Sequence, residues 1–171
     1  LRGFCEVTSD EQELLESPKR PIVLLKKKLP GAVLNPLSDD VAPNNQFVGC
    51  MLPYTPLHSL LFPVGGKDHA EGARTLSVLV MTSGNLSEEP IVHRNDDAIK
   101  KLSGTVDAFL SHNRDIFMRV DDSVVRIADC GLRIADSTIM TEKSEIRTSR
   151  CNISFLRRAR GYVPEAIALR D

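Results

Sequence analysis

Apolar residues recur along this chain in short runs divided by polar, Gly- and Pro-bearing stretches, a rhythm that alternates β-type segments with helix-sized ones. Thr8 to Gln12 carries a helix start: Ser9 caps, Gln12 reaches back to it, and the helix stops before Pro18. Pro21 to Leu25 reads as a buried strand, with Lys26, Lys27 and Lys28 as its solvated end. Residues 29–46, rich in Pro, Asn and Asp, describe a loop with a turn of helix at most, and Phe47 to Leu52 a short strand. Pro56 suits the first turn of a helix that Thr55 caps, which sets Leu57, Leu60 and Leu61 towards the core. Gly65 to Arg74 reads as a flexible surface insertion, and its Gly-Gly-Lys lacks the spacing of a phosphate loop. Leu76 to Met81 is a buried strand, and Asn95 caps a helix to Leu102 whose Asp96 and Asp97 complement the helix dipole. The β pattern continues at Val106 to Leu110, Ile116 to Val120 and Val124 to Ile127. Residues 128–152 are polar and irregular, the mark of a hairpin or mobile loop. Arg157 to Pro164 then adds a dense, solvent-exposed positive cluster.

Composition narrows the class. With 171 residues, 42% of them hydrophobic, the chain is long enough to bury a core without disulfides. Its four cysteines lie far apart in sequence with no Cys-x-x-Cys pair and no His at ligand spacing, so a structural zinc site is not expected and a reducing cytoplasm is. A formal net charge of −1 counts against a broad basic surface for nucleic acid, while local Lys and Arg clusters remain able to meet a small anion. No apolar run is long enough to span a bilayer and no leader pattern opens the chain, so a soluble protein without membrane partners is expected.

Three stretches carry candidate chemistry. Leu76 to Met81 empties into Thr82-Ser83-Gly84-Asn85, where two hydroxyls and an amide supply donors and Gly84 allows backbone N–H groups close to an anion. The same residues also compose an ordinary turn. Asp121-Asp122-Ser123 at a strand start offers hard oxygen ligands for Mg²⁺ or a phosphate chain, or carboxylates for ion pairs with Arg114 and Arg119; neighbouring side chains on a strand diverge, so at most one of Asp122 and Ser123 meets a given ligand. Tyr54 and His58 fall near a helix entrance, where the dipole favours anions.

In order along the chain, Gly49 to His58 (with Pro-Tyr-Thr-Pro-Leu-His), Met81 to Ile91, His112 to Arg114, Asp121 to Val125 and Arg157 to Pro164 resemble the YrdC-like domain of the [NiFe]-hydrogenase maturation carbamoyltransferases, the HypF family. The Thr-Ser-x-Asn loop is shared with the wider YrdC group. Pro-Tyr-Thr-Pro-Leu-His and Arg-Arg-Ala-Arg-Gly-Tyr-x-Pro are more particular to HypF. The resemblance covers almost the whole chain and implies an α/β fold, a YrdC-like twisted mixed sheet with flanking helices around a deep nucleotide-binding cavity. Residues 1–171 would form one such domain lacking its N-terminal part, with 157–171 leading towards a following domain.

The implied reaction makes carbamoyl adenylate from carbamoyl phosphate and ATP with Mg²⁺; the full-length family members pass the carbamoyl group to the partner HypE as a precursor of cyanide ligands. By motif, Ser83 and Asn85 contact the nucleotide or carbamate, Thr82 and Gly84 shape the loop, and Ser123 lies near the phosphates. Tyr54 and His58 select the acyl donor, Arg157 or Arg158 binds an anion, and Asp122 meets Mg²⁺. The family's upstream Lys-Gly-x-Gly-Gly segment and basic motif do not precede Leu1, Met51 stands where related synthases often carry Arg, and 128–155 is longer than usual. Weak or no turnover by this chain alone is therefore expected. Two other readings stay open: a threonylcarbamoyl-adenylate synthase, and a non-catalytic module binding nucleotide or double-stranded RNA.

Overall fold

Val23 and Leu25, with no accessible surface, mark the centre of the fold. They alternate along β1 (Ile22–Lys26), where β-branched and leucine side chains pack on a pleated surface. The computed structural model describes residues 1–29, 31, 37–38, 40–62, 76–128 and 153–165. Within them β1 pairs antiparallel with β2 (Phe47–Cys50) and parallel with β3 (Val124–Ile127), which pairs antiparallel with β4 (Ile153–Arg157). The resulting mixed sheet has the order β2-β1-β3-β4. This agrees with the α/β expectation.

One face of the sheet is closed. Val23, Leu25, Val48, Cys50 and Val125 meet Leu15 of α1 (Ser9–Glu16) and Cys5 in the hydrophobic core, with Phe4, Val7 and Leu14 at its margin. Each fully buried aliphatic side chain contributes about 1.5–3 kcal/mol, so this single layer of contacts dominates the stability of the sheet. Cys5 and Cys50, distant in sequence, meet here as buried free thiols. A hydrogen bond from Cys50 holds the Cys5 thiol below its usual range, while the same bond and burial push Cys50 up.

The chain divides into two compact units, Leu1–Thr55 with Asp122–Asp171, and Pro56–Asp121. The first contains the sheet. The second contains α2 (Pro56–Leu61) and α3 (Asn95–Leu102), and none of its described residues is buried.

Several local expectations shift. The α1 cap is Thr8, not Ser9: its hydroxyl accepts from Glu11 N–H, and the Glu11 carboxylate accepts from Thr8 N–H at 2.8 Å, moving the capping box one residue back from Ser9 and Gln12. The α3 cap position is Arg94 without a side-chain cap bond, since Asn95 lies inside the helix and its amide donates instead to His112 O at 3.3 Å. Lys27 and Lys28 are not simply solvated. Lys27 Nζ donates to the carbonyls of Val41 and Ala42, and Lys28 Nζ to that of Arg2.

The strands expected at 76–81, 106–110 and 116–120 do not form among the described residues. A β pattern favours extended backbone, but a strand exists only through a neighbour's hydrogen bonds, and these segments have no ladder partner. Their side chains accordingly stand open: Val80 is 76% and Phe117 99% exposed. Leu57 and Leu60 of α2 likewise face outward, because that six-residue helix packs no buried residue. The expectations for 65–74 and for most of 128–152 lie outside the described residues.

Replacing Leu25 by Ala should cost about 2–5 kcal/mol of unfolding free energy in urea, whereas Leu60→Ala should stay within about 0.5 kcal/mol. Equal losses would contradict this division between a closed core and an open unit.

Candidate functional site

The motif Asp122-Ser123 opens β3, and its two side chains take different partners. Ser123 is fully buried; its Oγ accepts from Ala159 N–H and donates to Arg160 O, both at 2.8 Å. Its carbonyl accepts from Ile22 N–H at 2.8 Å, so the residue ties β1 and β3 to the segment after β4. Asp122 turns to a cation. Its Oδ1 lies 2.7 Å from Arg160 Nε and 3.5 Å from Tyr54 Oη. The carboxylate expected to pair with Arg114 or Arg119 therefore pairs with Arg160, because the parallel bridge between Asp122 and Arg160 sets them side by side.

Arg160 gathers this corner. Its guanidinium stacks 3.8 Å from the Tyr54 ring centroid and donates to Lys19 O at 3.3 Å and Arg20 O at 2.8 Å. Those carbonyls follow α1, where Arg20 adopts a left-handed φ of 43° and its own side chain reaches back to Leu15 O. Gly161 follows, with φ 87°, and a Cβ there would lie 2.6 Å from Lys19 O. Only glycine permits that approach. Tyr162 packs edge-on against Phe155 at 4.8 Å between centroids, and Lys19 Nζ sits 4.4 Å above its ring. The positive cluster is thus not wholly solvent-exposed: Arg157 is exposed on β4, but Arg158 donates to Glu165 O and Arg160 is largely enclosed.

Burial and the Asp122 charge raise the Tyr54 phenol above its ordinary 10.0, and burial does the same for Tyr162. A raised pKa means that the folded state prefers the neutral phenol. Its contribution is complete below the ordinary pKa and is lost as pH climbs through the folded-state value.

The loop after Met81 is held by its own polar groups. Asn85 accepts from Ser83 Oγ through its side-chain carbonyl and donates its amide protons to Leu86 O at 2.9 Å and Glu89 O at 3.1 Å. Val92 N–H closes the turn on Gly84 O at 2.9 Å, and Lys101 anchors Glu89 at 2.6 Å. Thr82, Ser83 and Gly84 are exposed. Gly84 has ordinary φ, and an added Cβ would meet only Leu102 Cδ1 at 3.9 Å, so no backbone requirement selects glycine there. His58 is the third residue of the six-residue α2, within the first turn from its entrance.

Of the nominated residues, the structure joins Tyr54 to Asp122 and Ser83 to Asn85. Thr82 to Asn85 and His58 belong to the Pro56–Asp121 unit, and Tyr54, Asp122, Ser123, Arg157 and Arg158 to the other. A cleft of about 400 Å³ opens beside α1, lined by Arg2, Val7, Gln12, Leu15 and Leu52 among others, and none of the nominated residues lines it. Among the described residues no group of three His, Cys, Asp or Glu is placed to hold a metal. No described helix is long and apolar enough to cross a membrane. Arg160 is not distinguished from Arg157 and Arg158 by the sequence pattern; the glycine after it is the one local signal, and its close approach to Lys19 O is visible only in the fold.

Comparison with known proteins gives this geometry a context. The Sua5/YciO/YrdC family model, described as "Telomere recombination", matches residues 1–136. Carbamoyltransferase HypF2 of Cupriavidus necator is 42% identical over 168 residues, covering 96% of this chain and 18% of that protein. A probable carbamoyltransferase HypF of Methanocaldococcus jannaschii is 38% identical over 164 residues, covering 96% and 17%. Among solved structures, full-length HypF in the phosphate- and nucleotide-bound form matches with TM-score 0.65 and 36% identity over 96% of this chain and 20% of that one. T. kodakarensis HypF matches with TM-score 0.69 and 34% identity over 95% and 17%. The chain spans less than a fifth of the length of these curated relatives.

Two outcomes follow from the corner. Gly161→Ala should cost about 1–3 kcal/mol, because its Cβ collides with Lys19 O at an unfavourable φ, while Gly84→Ala should stay within about 0.5 kcal/mol. The urea midpoint should fall as pH rises above 10, and less steeply in Tyr54→Phe, which keeps the ring under Arg160 without the phenol; superimposable pH profiles would refute the assignment.

Proposed function

The chain belongs to the Sua5/YciO/YrdC family, and from that premise we propose that it is the YrdC-like portion of a HypF-type carbamoyltransferase. One observation carries the reading: HypF relatives align with more than nine-tenths of this chain at 37–42% identity. In this reading the bound species are ATP and a carbamoyl group derived from carbamoyl phosphate. Water cleaves carbamoyl phosphate to carbamate and inorganic phosphate, a carbamate oxygen attacks the α-phosphate of ATP, carbamoyl adenylate forms and pyrophosphate leaves. The protein positions the two reactants and excludes water from an unstable intermediate, and no side-chain nucleophile is needed.

The nominated residues take distinct parts. Ser83 and Thr82 are exposed hydroxyl donors for the nucleotide or carbamate on a turn that Asn85 holds. Tyr54 and His58 select the acyl donor, and Arg157 and Arg158 supply positive charge. Ser123 contributes by holding Asp122 and Arg160 in place, since both functions of its hydroxyl are engaged within the chain. Asp122 already gives one oxygen to Arg160, and Mg²⁺ is held by one or two carboxylates together with substrate phosphates. The ion enters this reading with the nucleotide. Transfer to HypE belongs to the longer protein, in a cytoplasmic setting.

The family match also covers threonylcarbamoyl-adenylate synthases by resemblance, and substrate dependence separates the two readings. The test measures pyrophosphate release from ATP by this chain and by the longer parent protein. The parent should release pyrophosphate only with carbamoyl phosphate present, and this chain alone should show little or none. Release dependent on threonine and bicarbonate would replace the reading with the synthase. Rates from the isolated chain equal to those of the parent would overturn the expectation of a partial site. Salt-sensitive binding of double-stranded RNA without any pyrophosphate release would favour the non-catalytic module.

A further inference from the structure

The chain passes between its two compact units twice, at Thr55–Pro56 and at Asp121–Asp122. Both passages belong to the same end of the sheet. β2 runs towards the first and pairs Cys50 with Val23 of β1, while β3 follows the second and pairs Val124 with Ile22. In the order β2-β1-β3 the strands that carry the two connections are not neighbours. Two strand spacings, about 10 Å, separate them across the head of β1.

The Arg160 guanidinium spans that gap. On one side its central carbon lies 3.8 Å from the ring centroid of Tyr54, one residue before Thr55; on the other its Nε lies 2.7 Å from Oδ1 of Asp122. Between these contacts it donates to Lys19 O and Arg20 O, just upstream of β1. Tyr54 and Asp122 also approach each other directly, with 3.5 Å between Oη and Oδ1.

The clamp is itself anchored. Ser123 Oγ bonds the backbone at Ala159 and Arg160, Ile22 N–H donates to Ser123 O, and the Arg20 side chain donates to the carbonyl of Leu15, a core residue. A guanidinium engaged by a carboxylate, two carbonyls and a ring has its planar fork of donors fixed, so it ties both connections to the core. Two covalent connections restrict the unit they carry largely to a turn about the line through them, and hinges of this kind lie in a few residues at the ends of elements.

We propose that Arg160 is the clamp of such a hinge: it holds the two connections of the Pro56–Asp121 unit side by side and so limits the turn of that unit about them. No ligand is needed for this role, which goes beyond the carbamoyl reading and would survive its failure.

The experiment uses the full chain with one nitroxide label in each unit, on cysteines introduced at exposed positions by Glu13→Cys in α1 and Lys100→Cys in α3. Cys130→Ser and Cys151→Ser remove two native thiols, and Cys5 and Cys50 are buried from the reagent. Pulsed electron spin resonance then reads the spread of the label-to-label distance. With Arg160 in place the distribution should be single and narrow, and Arg160→Gln should widen it about twofold or more. Arg160→Lys, which keeps a charge for Asp122 without the forked donors, should widen it less. Lys19→Gln is the control. It removes the ammonium that meets Tyr162 and Glu165, residues of the same corner that carry no connection, so it should lower the unfolding temperature and leave the width alone. Equal widening by Lys19→Gln and Arg160→Gln would mean general loosening and overturns the hinge. So does a lower unfolding temperature in Arg160→Gln with an unchanged width, the result of a purely structural role. A distribution already broad with Arg160 in place overturns it as well, and that measurement requires no Arg160 variant to fold.

Discussion

The Arg160 guanidinium holds together parts of the chain that lie far apart in sequence. It meets the Asp122 carboxylate at the start of β3, the Tyr54 ring after β2, and the Lys19 and Arg20 carbonyls between α1 and β1. Hydrogen bonds to a charged group contribute about 1.5–3 kcal/mol each, more than neutral ones, and removing one partner of a partly enclosed ion pair leaves the other charge uncompensated. Gly161 and Ser123 serve the same junction from either side, one by permitting the approach to Lys19 and the other by bonding the backbone at 159 and 160. Tyr54, Asp122 and Ser123, nominated from the sequence for ligand binding, are here also structural fasteners.

The two units contrast in how they satisfy their apolar residues. Around the sheet, alternation delivers every second side chain of β1 into a closed core. In Pro56–Asp121, equally apolar runs such as Leu76–Met81 have no ladder partner among the described residues, and their side chains stay exposed. The relatives that this chain resembles are more than five times its length.

Much of the local structure was legible. The limits of α1 and the positions of β1, β2 and β3 followed from Pro18, the apolar alternation and the turn residues, and cap positions moved by a single residue because Thr8 and Glu11 compete with Ser9 and Gln12 for the same reciprocal geometry. The Thr82–Asn85 loop was legible as a composition of donors. Its geometry turned out to rest on Asn85 and not on Gly84, because an amide can satisfy two carbonyls and accept a hydroxyl at once. The partner of Asp122 was not legible, since Arg114, Arg119 and Arg160 are equivalent cations until the chain path brings one of them within 2.7 Å.

By itself the sequence determined what depends on neighbours along the chain: helix starts and stops, strand-forming runs, and the ordered motifs that mark the family. Tertiary structure alone decided which β-prone runs became strands, because a ladder needs hydrogen bonds from a distant segment. It also decided which arginine met which acid, as Arg114, Arg119 and Arg160 differ only in what the fold carries to their side. Coulomb attraction and steric approach act over a few ångströms of space and are blind to separation along the chain.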